Sequence, residues 1–247
     1  MNGAYVFIGP TLSLASARAE LDACYLPPVA AGDVYRLWRL RPQVIGIIDG
    51  YAEYVPAVWH KEILWIMEQG VHVFGSAGLG ALRAAELAAF GMRGVGTVYQ
   101  AVTDGTLDRD DEVAVAHHGS DGDYRPLSEA MVNIRATLAA AEREQVIYAA
   151  TRDLLAAAAT ALFYRDRTWP ALLDAGKASD VDPAQLAALA QWLPAGQVAQ
   201  QAADACAMLR QMREFMATAP EPMRVAWTTA PTTRWEAARR YAAGVES

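Results

Sequence analysis

Cysteine is scarce. Cys24 and Cys206 are the only two in 247 residues, far apart and outside any CxxC or Cys/His spacing. A disulfide framework and a structural zinc site are therefore not expected. Each thiol reads as a small core residue, with Cys24 as a lone nucleophile the alternative. Basic charge is also short. The chain has 21 Lys and Arg against 28 Asp and Glu, a formal net charge of −7, and lacks the basic stripe of a nucleic-acid binder. No apolar run approaches the roughly 20 residues of a membrane span. The N-terminal stretch has neither a basic n-region nor a long apolar h-region, so no signal peptide is expected. These absences point to a cytoplasmic protein that binds neither nucleic acid nor membrane.

What is present is a globular composition, 53% apolar and 20% charged, enough for one large domain or a core domain with an appendage. Tyr5–Ile8, Val44–Ile48 and Val71–Phe74 are short apolar runs, each followed by a turn and a helical pattern. That is the rhythm of a parallel sheet, whose strands are buried on both faces and read as continuous apolar runs. The expected helices are Leu14–Ala23, with Ser13 as its cap, a short one from Asp33 to Leu40, Ala57–Gln69 ended by Gly70, Leu79–Phe90 closed by Gly91, and Thr97–Leu107. Val113–Ala116 reads as an edge strand.

After Pro126 the character changes. Residues 127–165 and 182–217 are rich in Ala and Leu at helical period, and Asp182-Pro183 marks a helix start. The fold class is thus α/β: a small, mainly parallel sheet with flanking helices, Rossmann-like or flavodoxin-like, over residues 1–125, followed by an all-helical region over 126–247.

In open parallel sheets, ligands sit outside the carboxyl ends of the strands. Those ends here carry Asp49-Gly50 and Gly75-Ser76-Ala77-Gly78-Leu79-Gly80. The helix between them opens with His60-Lys61-Glu62. Histidine is the commonest general base; Lys61 can neutralise an anion, and Glu62 can orient the imidazole or favour the helix N-terminus. The same three residues equally suit a polar helix surface. The glycines at 75, 78 and 80 let the backbone approach a ligand, and amides at a helix start bind anions. Ser76 follows the strand, where a nucleophilic elbow would present it, although the spacing is neither G-x-S-x-G nor a P-loop. A tight turn with close helix-sheet packing explains these glycines as well. Arg83 can hold a carboxylate, and Glu86 lies three residues on, near the same face.

Asp49 with Glu53, and the run Asp108, Asp110, Asp111, Glu112, offer oxygen ligands that suit magnesium; turn caps and a solvated charge run suit them more simply. His117-His118 has no third ligand at a convincing spacing. No metal and no cofactor is expected.

In order along residues 3 to 142, the chain carries Gly9-Pro-Thr-Leu12, Pro27-Pro28 with Gly32-Asp33, Ile48-Asp-Gly50, and Ala57-Val-Trp-His-Lys-Glu-Ile-Leu64. Then come Gly80-Ala-Leu-Arg-Ala-Ala-Glu-Leu87, Gly91-Met92 with Gly94-Val-Gly96, Asp110-Asp-Glu-Val-Ala114 and Leu127-Ser-Glu-Ala-Met-Val132. This series resembles the TfuA-like family. One departure stands out: the family usually has serine and methionine where this chain has Gly78-Leu79, so its only nearby hydroxyl is Ser76.

The resemblance implies an accessory role to a YcaO enzyme in peptide-backbone thioamidation. The partner would supply sulfide from the C-terminal thiocarboxylate of a ThiS-like carrier, with the precursor peptide a further candidate partner. From the residues' own chemistry and placement, catalysis is expected of His60, Lys61, Glu62 and Ser76, and substrate binding of Asp49, Gly75, Gly78, Gly80, Arg83 and Glu86. The alternative is a non-catalytic adaptor that recruits carrier or peptide to YcaO.

Overall fold

The computed structural model describes residues 3–51, 55–179 and 181–242. The chain divides into two compact units. Unit 1 is residues 1–107 with 202–247, and unit 2 is residues 108–201.

Unit 1 is built on one five-stranded sheet, all parallel, in the order β2-β1-β3-β4-β5. Its strands are β1 (Ala4–Phe7), β2 (Cys24–Leu26), β3 (Val44–Ile47), β4 (His72–Ser76) and β5 (Arg93–Val95). This is the flavodoxin-like variant of the doubly wound sheet, and its order reverses between β1 and β3. The parallel sheet with flanking helices is as the apolar runs predict. Two strands went unread, β2 and β5. Both are three-residue edge strands with half-exposed side chains, too short to show a period. The expected strand at Val113–Ala116 does not form. The Ala116 carbonyl instead accepts from the Leu127 and Ser128 amides, and the Ala116 amide donates to Ser128 Oγ.

Strand residues alternate between two apolar layers, as the period of two requires. Tyr5, Phe7, Ile45, Ile47 and Val73 face one layer with α2 (Asp33–Leu37), α3 (His60–Glu68) and α4 (Leu79–Leu87). Ala4, Val6, Val44, Ile48 and Phe74 face the other, with α1 (Leu14–Glu20) and Ala205, Met208, Leu209 and Met212 of a late helix. Each fully buried Ile, Val or Met of this kind stabilises by roughly 1.5–3 kcal/mol. Ser13 caps α1 by accepting from the Ser16 amide, and Gly70 and Gly91 follow their helices at positive φ, both as predicted. A further helix, α5 (Thr97–Thr103), follows β5.

Unit 2 is helical: α6 (Met131–Arg143), α7 (Ala149–Ala161), α8 (Trp169–Ala178) and α9 (Pro183–Gly196). They share a core of Met131, Ile134, Leu138, Leu155, Leu172, Leu189 and Leu193. Asp182 caps α9 from the position before Pro183 and accepts from the Ala184 amide. The chain returns to unit 1 through α10 (Gln200–Ala217), the helix whose methionines cover the second face of the sheet.

A C-terminal strap then runs along unit 1. Met223 donates its amide to the Gly70 carbonyl, His72 Nε2 meets the Glu221 carbonyl, and Thr229 donates its amide to Glu68. The last described helix, α11 (Thr233–Ala242), sets Trp235 against Tyr35 and Trp65. Among the described residues no helix is long and apolar enough to cross a membrane.

Candidate functional site

Asp49 lies two residues after β3, beside the point where the strand order reverses. It is buried, and its carboxylate accepts from the Gly9 amide at 2.8 Å, the Thr11 amide at 3.2 Å and Thr11 Oγ1 at 2.6 Å. The group therefore stitches the loop after β1 to the end of β3. Glu53, its expected companion, lies outside the described residues.

The glycine turn after β4 is a packing device. A Cβ built on Gly80 would stand 1.8 Å from the Ile47 carbonyl oxygen, and one on Gly75 would stand 2.1 Å from the Gly80 oxygen. Only glycine lets α4 lie this close to the strands. The Gly80 amide donates to the Ile48 carbonyl, so this donor is already engaged. Gly78 is the N-cap of α4 and offers no side-chain cap. Ser76 is fully buried and its hydroxyl donates to the Val95 carbonyl, so it presents no nucleophile to solvent.

The three residues that open α3 go three ways. His60, about half exposed, places Nε2 2.7 Å from Glu86 Oε2. Arg83 Nη1 reaches the same oxygen, also at 2.7 Å, while its Nε donates to the Val58 carbonyl. Arg83 is largely covered, its side chain only 14% exposed. One α4 arginine thus holds both the backbone just before α3 and, through Glu86, the first side chain of α3. Its Nη2 has no partner among the described residues, which leaves a donor for an anion.

Lys61 is turned to the strap, donating to the Ala230 carbonyl and Thr232 Oγ1, both at 3.0 Å. Glu62 is 2% exposed, and both its oxygens accept from the Gly32 amide. Burial pushes its carboxyl up to about 7, against a smaller opposing effect of the backbone amides, Gly32 first. The carboxylate that meets His60 is Glu86's. Residues two apart on a helix do not share a face, and Glu62 lies on the buried side of α3.

Compared with protein-family models, the chain matches the one described as TfuA-like protein over residues 49–168. Over this stretch the chain is similar to the TfuA-like family. No curated protein matches it. The TfuA-like stretch contains His60, Arg83 and Glu86, and it also contains the acidic run of unit 2.

Two members of that run, Asp111 and Glu112, are structural, while Asp108 and Asp110 are exposed. Asp111 is bound by Arg109 and by Arg167, a guanidinium only 1% exposed that also donates to the Asp111 and Ala159 carbonyls. Burial pushes the Asp111 carboxyl up, but the bonds from Arg109 and Arg167 outweigh it and hold it below the usual carboxylate range. Glu112 is buried in a bidentate pair with Arg135, at 2.9 and 2.8 Å. Of the three arginines that bind the run, Arg135 and Arg167 lie 23 and 56 residues from their carboxylates, beyond the reach of local spacing. His118 leans on Arg125, and no group of three potential metal ligands occurs among the described residues.

Proposed function

We propose that this TfuA-like protein serves a YcaO enzyme in peptide-backbone thioamidation by hydrolysing the C-terminal thiocarboxylate of a ThiS-like sulfur carrier. The observation that carries the reading is the shared oxygen of Glu86, which gathers His60 and Arg83 at the start of α3. It brings a half-exposed proton acceptor together with a largely covered cation.

In this reading the carrier's flexible tail lays its thiocarboxylate against Arg83, whose unpartnered Nη2 donates to it. His60 takes a proton from water as the hydroxide adds to the carbonyl carbon. Collapse of the tetrahedral intermediate breaks the C–S bond: the sulfur leaves with the proton held by His60 as hydrosulfide, the new carboxylic acid gives up the second proton of the water, and thiocarboxylate plus water becomes carboxylate plus hydrogen sulfide. Water supplies the oxygen, so the reaction needs no oxidant, reductant or nucleotide. Ser76 takes no part, since its hydroxyl is buried on Val95.

The test incubates the protein with a thiocarboxylated ThiS-like carrier in the absence of YcaO and follows sulfide and carrier mass. Turnover that is lost in His60→Ala and kept in Ser76→Ala is the expected result. Unchanged turnover in His60→Ala overturns the assignment.

A second reading, a non-catalytic adaptor that brings carrier or precursor peptide to YcaO, is favoured by one observation: Lys61 and Ser76 are both spent on internal bonds. Binding of carrier or YcaO without turnover is its signature.

A further inference from the structure

We propose that Glu86 is a positioning residue that fixes His60 in its Nε2–H tautomer, so that Nδ1 is the atom that accepts the proton. The argument is one of hydrogen-bond bookkeeping. Glu86 Oε2 is approached from two sides, by Arg83 Nη1 and by His60 Nε2, each at 2.7 Å. A guanidinium has only donors, so the oxygen it meets is an acceptor. A carboxylate oxygen that already accepts a charge-assisted bond has no proton to give the imidazole. The proton between His60 and Glu86 therefore belongs to Nε2, and in a neutral imidazole the lone pair is then on the other nitrogen. Nδ1 has no partner among the described residues, and His60 is about half exposed, so a water can stand on it.

Rigidity strengthens the assignment. Glu86 lies on α4, and Arg83, one turn earlier, is itself fixed by the Val58 carbonyl. Val58 comes two residues before His60, so the backbone that carries the imidazole and the carboxylate that orients it share one anchor. A base is effective when a third group sets its orientation and tautomer, and the order here is Arg83, Glu86, His60. The catalytic consequence rests on the hydrolase reading; the tautomer does not.

The experiment labels the protein with nitrogen-15 histidine and records ring nitrogen shifts by long-range proton correlation at alkaline pH, where imidazoles are neutral. With four histidines in the chain, the His60 signals are those that vanish in His60→Ala. The wild type is expected to show Nε2 in the protonated, pyrrole-like range and Nδ1 in the unprotonated, pyridine-like range. Glu86→Ala is expected to move both toward the average of a tautomer mixture while circular dichroism stays unchanged. In the carrier assay Glu86→Ala should lower kcat by about 10²-fold with KM unchanged, since Glu86 acts through His60 and does not touch substrate. A wild type protonated at Nδ1, or a Glu86→Ala variant with unaltered shifts, overturns the proposal. A carrier left intact by a wild type with the expected shifts overturns the hydrolase reading alone.

Discussion

Both carboxylate oxygens of Glu62 accept from a single amide, that of Gly32, at 2.8 Å each. Gly32 stands at φ +88 as the residue before α2, so a buried carboxyl of α3 holds the start of α2. Burial pushes this carboxyl up from 4.5 to about 7. The folded state thus binds the proton more tightly than the unfolded chain. The stability tied to this group is greatest below about pH 4.5 and falls as pH rises toward about 7. The full swing is about 3 kcal/mol. Glu62→Gln keeps an acceptor for the Gly32 amide and has no proton to lose. Its Tm is expected to gain on the wild type between pH 5 and pH 8. A difference that stays constant across this range would refute the account.

Gly80→Ala is expected to be severe. The new methyl would meet the backbone oxygen of Ile47 at 1.8 Å, and a carbonyl in the middle of the sheet cannot move aside. Overpacking against a fixed backbone costs about 3 kcal/mol or more. Gly105 offers the contrast. Nothing lies within 4 Å of its Cβ, and only its φ of +77 opposes a side chain, so Gly105→Ala should cost about 1 kcal/mol. Urea unfolding of the two variants side by side checks the ranking.

Arg167→Ala removes a buried guanidinium whose bonds reach Asp111 and the Ala159 carbonyl. Breaking a buried ion pair from one side costs about 3–5 kcal/mol. Asp111 remains half-covered and keeps Arg109, which puts the expected loss at the lower end, about 3 kcal/mol. A denaturant midpoint within error of wild type would show that the pair contributes nothing net.

Much of unit 1 was legible in the sequence because its signals are local. Val44–Ile47 is a continuous apolar run, Val73 and Phe74 mark the fully buried strand His72–Ser76, and α3 buries Ile63, Ile66 and Met67 at helical spacing. The caps at Ser13 and Asp182 follow from short-range chemistry. The edge strands carry no such signal. The return of α10 to the sheet was also hidden, because alanine blurs the apolar stripe that Met208 and Met212 complete.

The site divides in the same way. His60, Arg83 and Glu86 could be named from residue type and place on their helices. That Glu86 meets His60, while Glu62 faces inward, depends on how α3 and α4 are rotated against each other. Spacing within one helix rules out the Glu62 pairing, but only packing between two helices supplies the partner.

The second face of the sheet bears on how the protein is made. Val6, Val44, Ile48 and Phe74 are covered by α1 and by residues 205–212 of α10, which are translated well after the last strand. Until that helix leaves the ribosome, this face of the finished strands lacks the cover that Ala205, Met208, Leu209 and Met212 supply. Unit 2, continuous in sequence over residues 108–201, has all its helices before α10 is complete and can fold while the sheet waits. Biosynthesis therefore closes the protein from the inside of the sequence outward, with the first hundred residues among the last to be sealed.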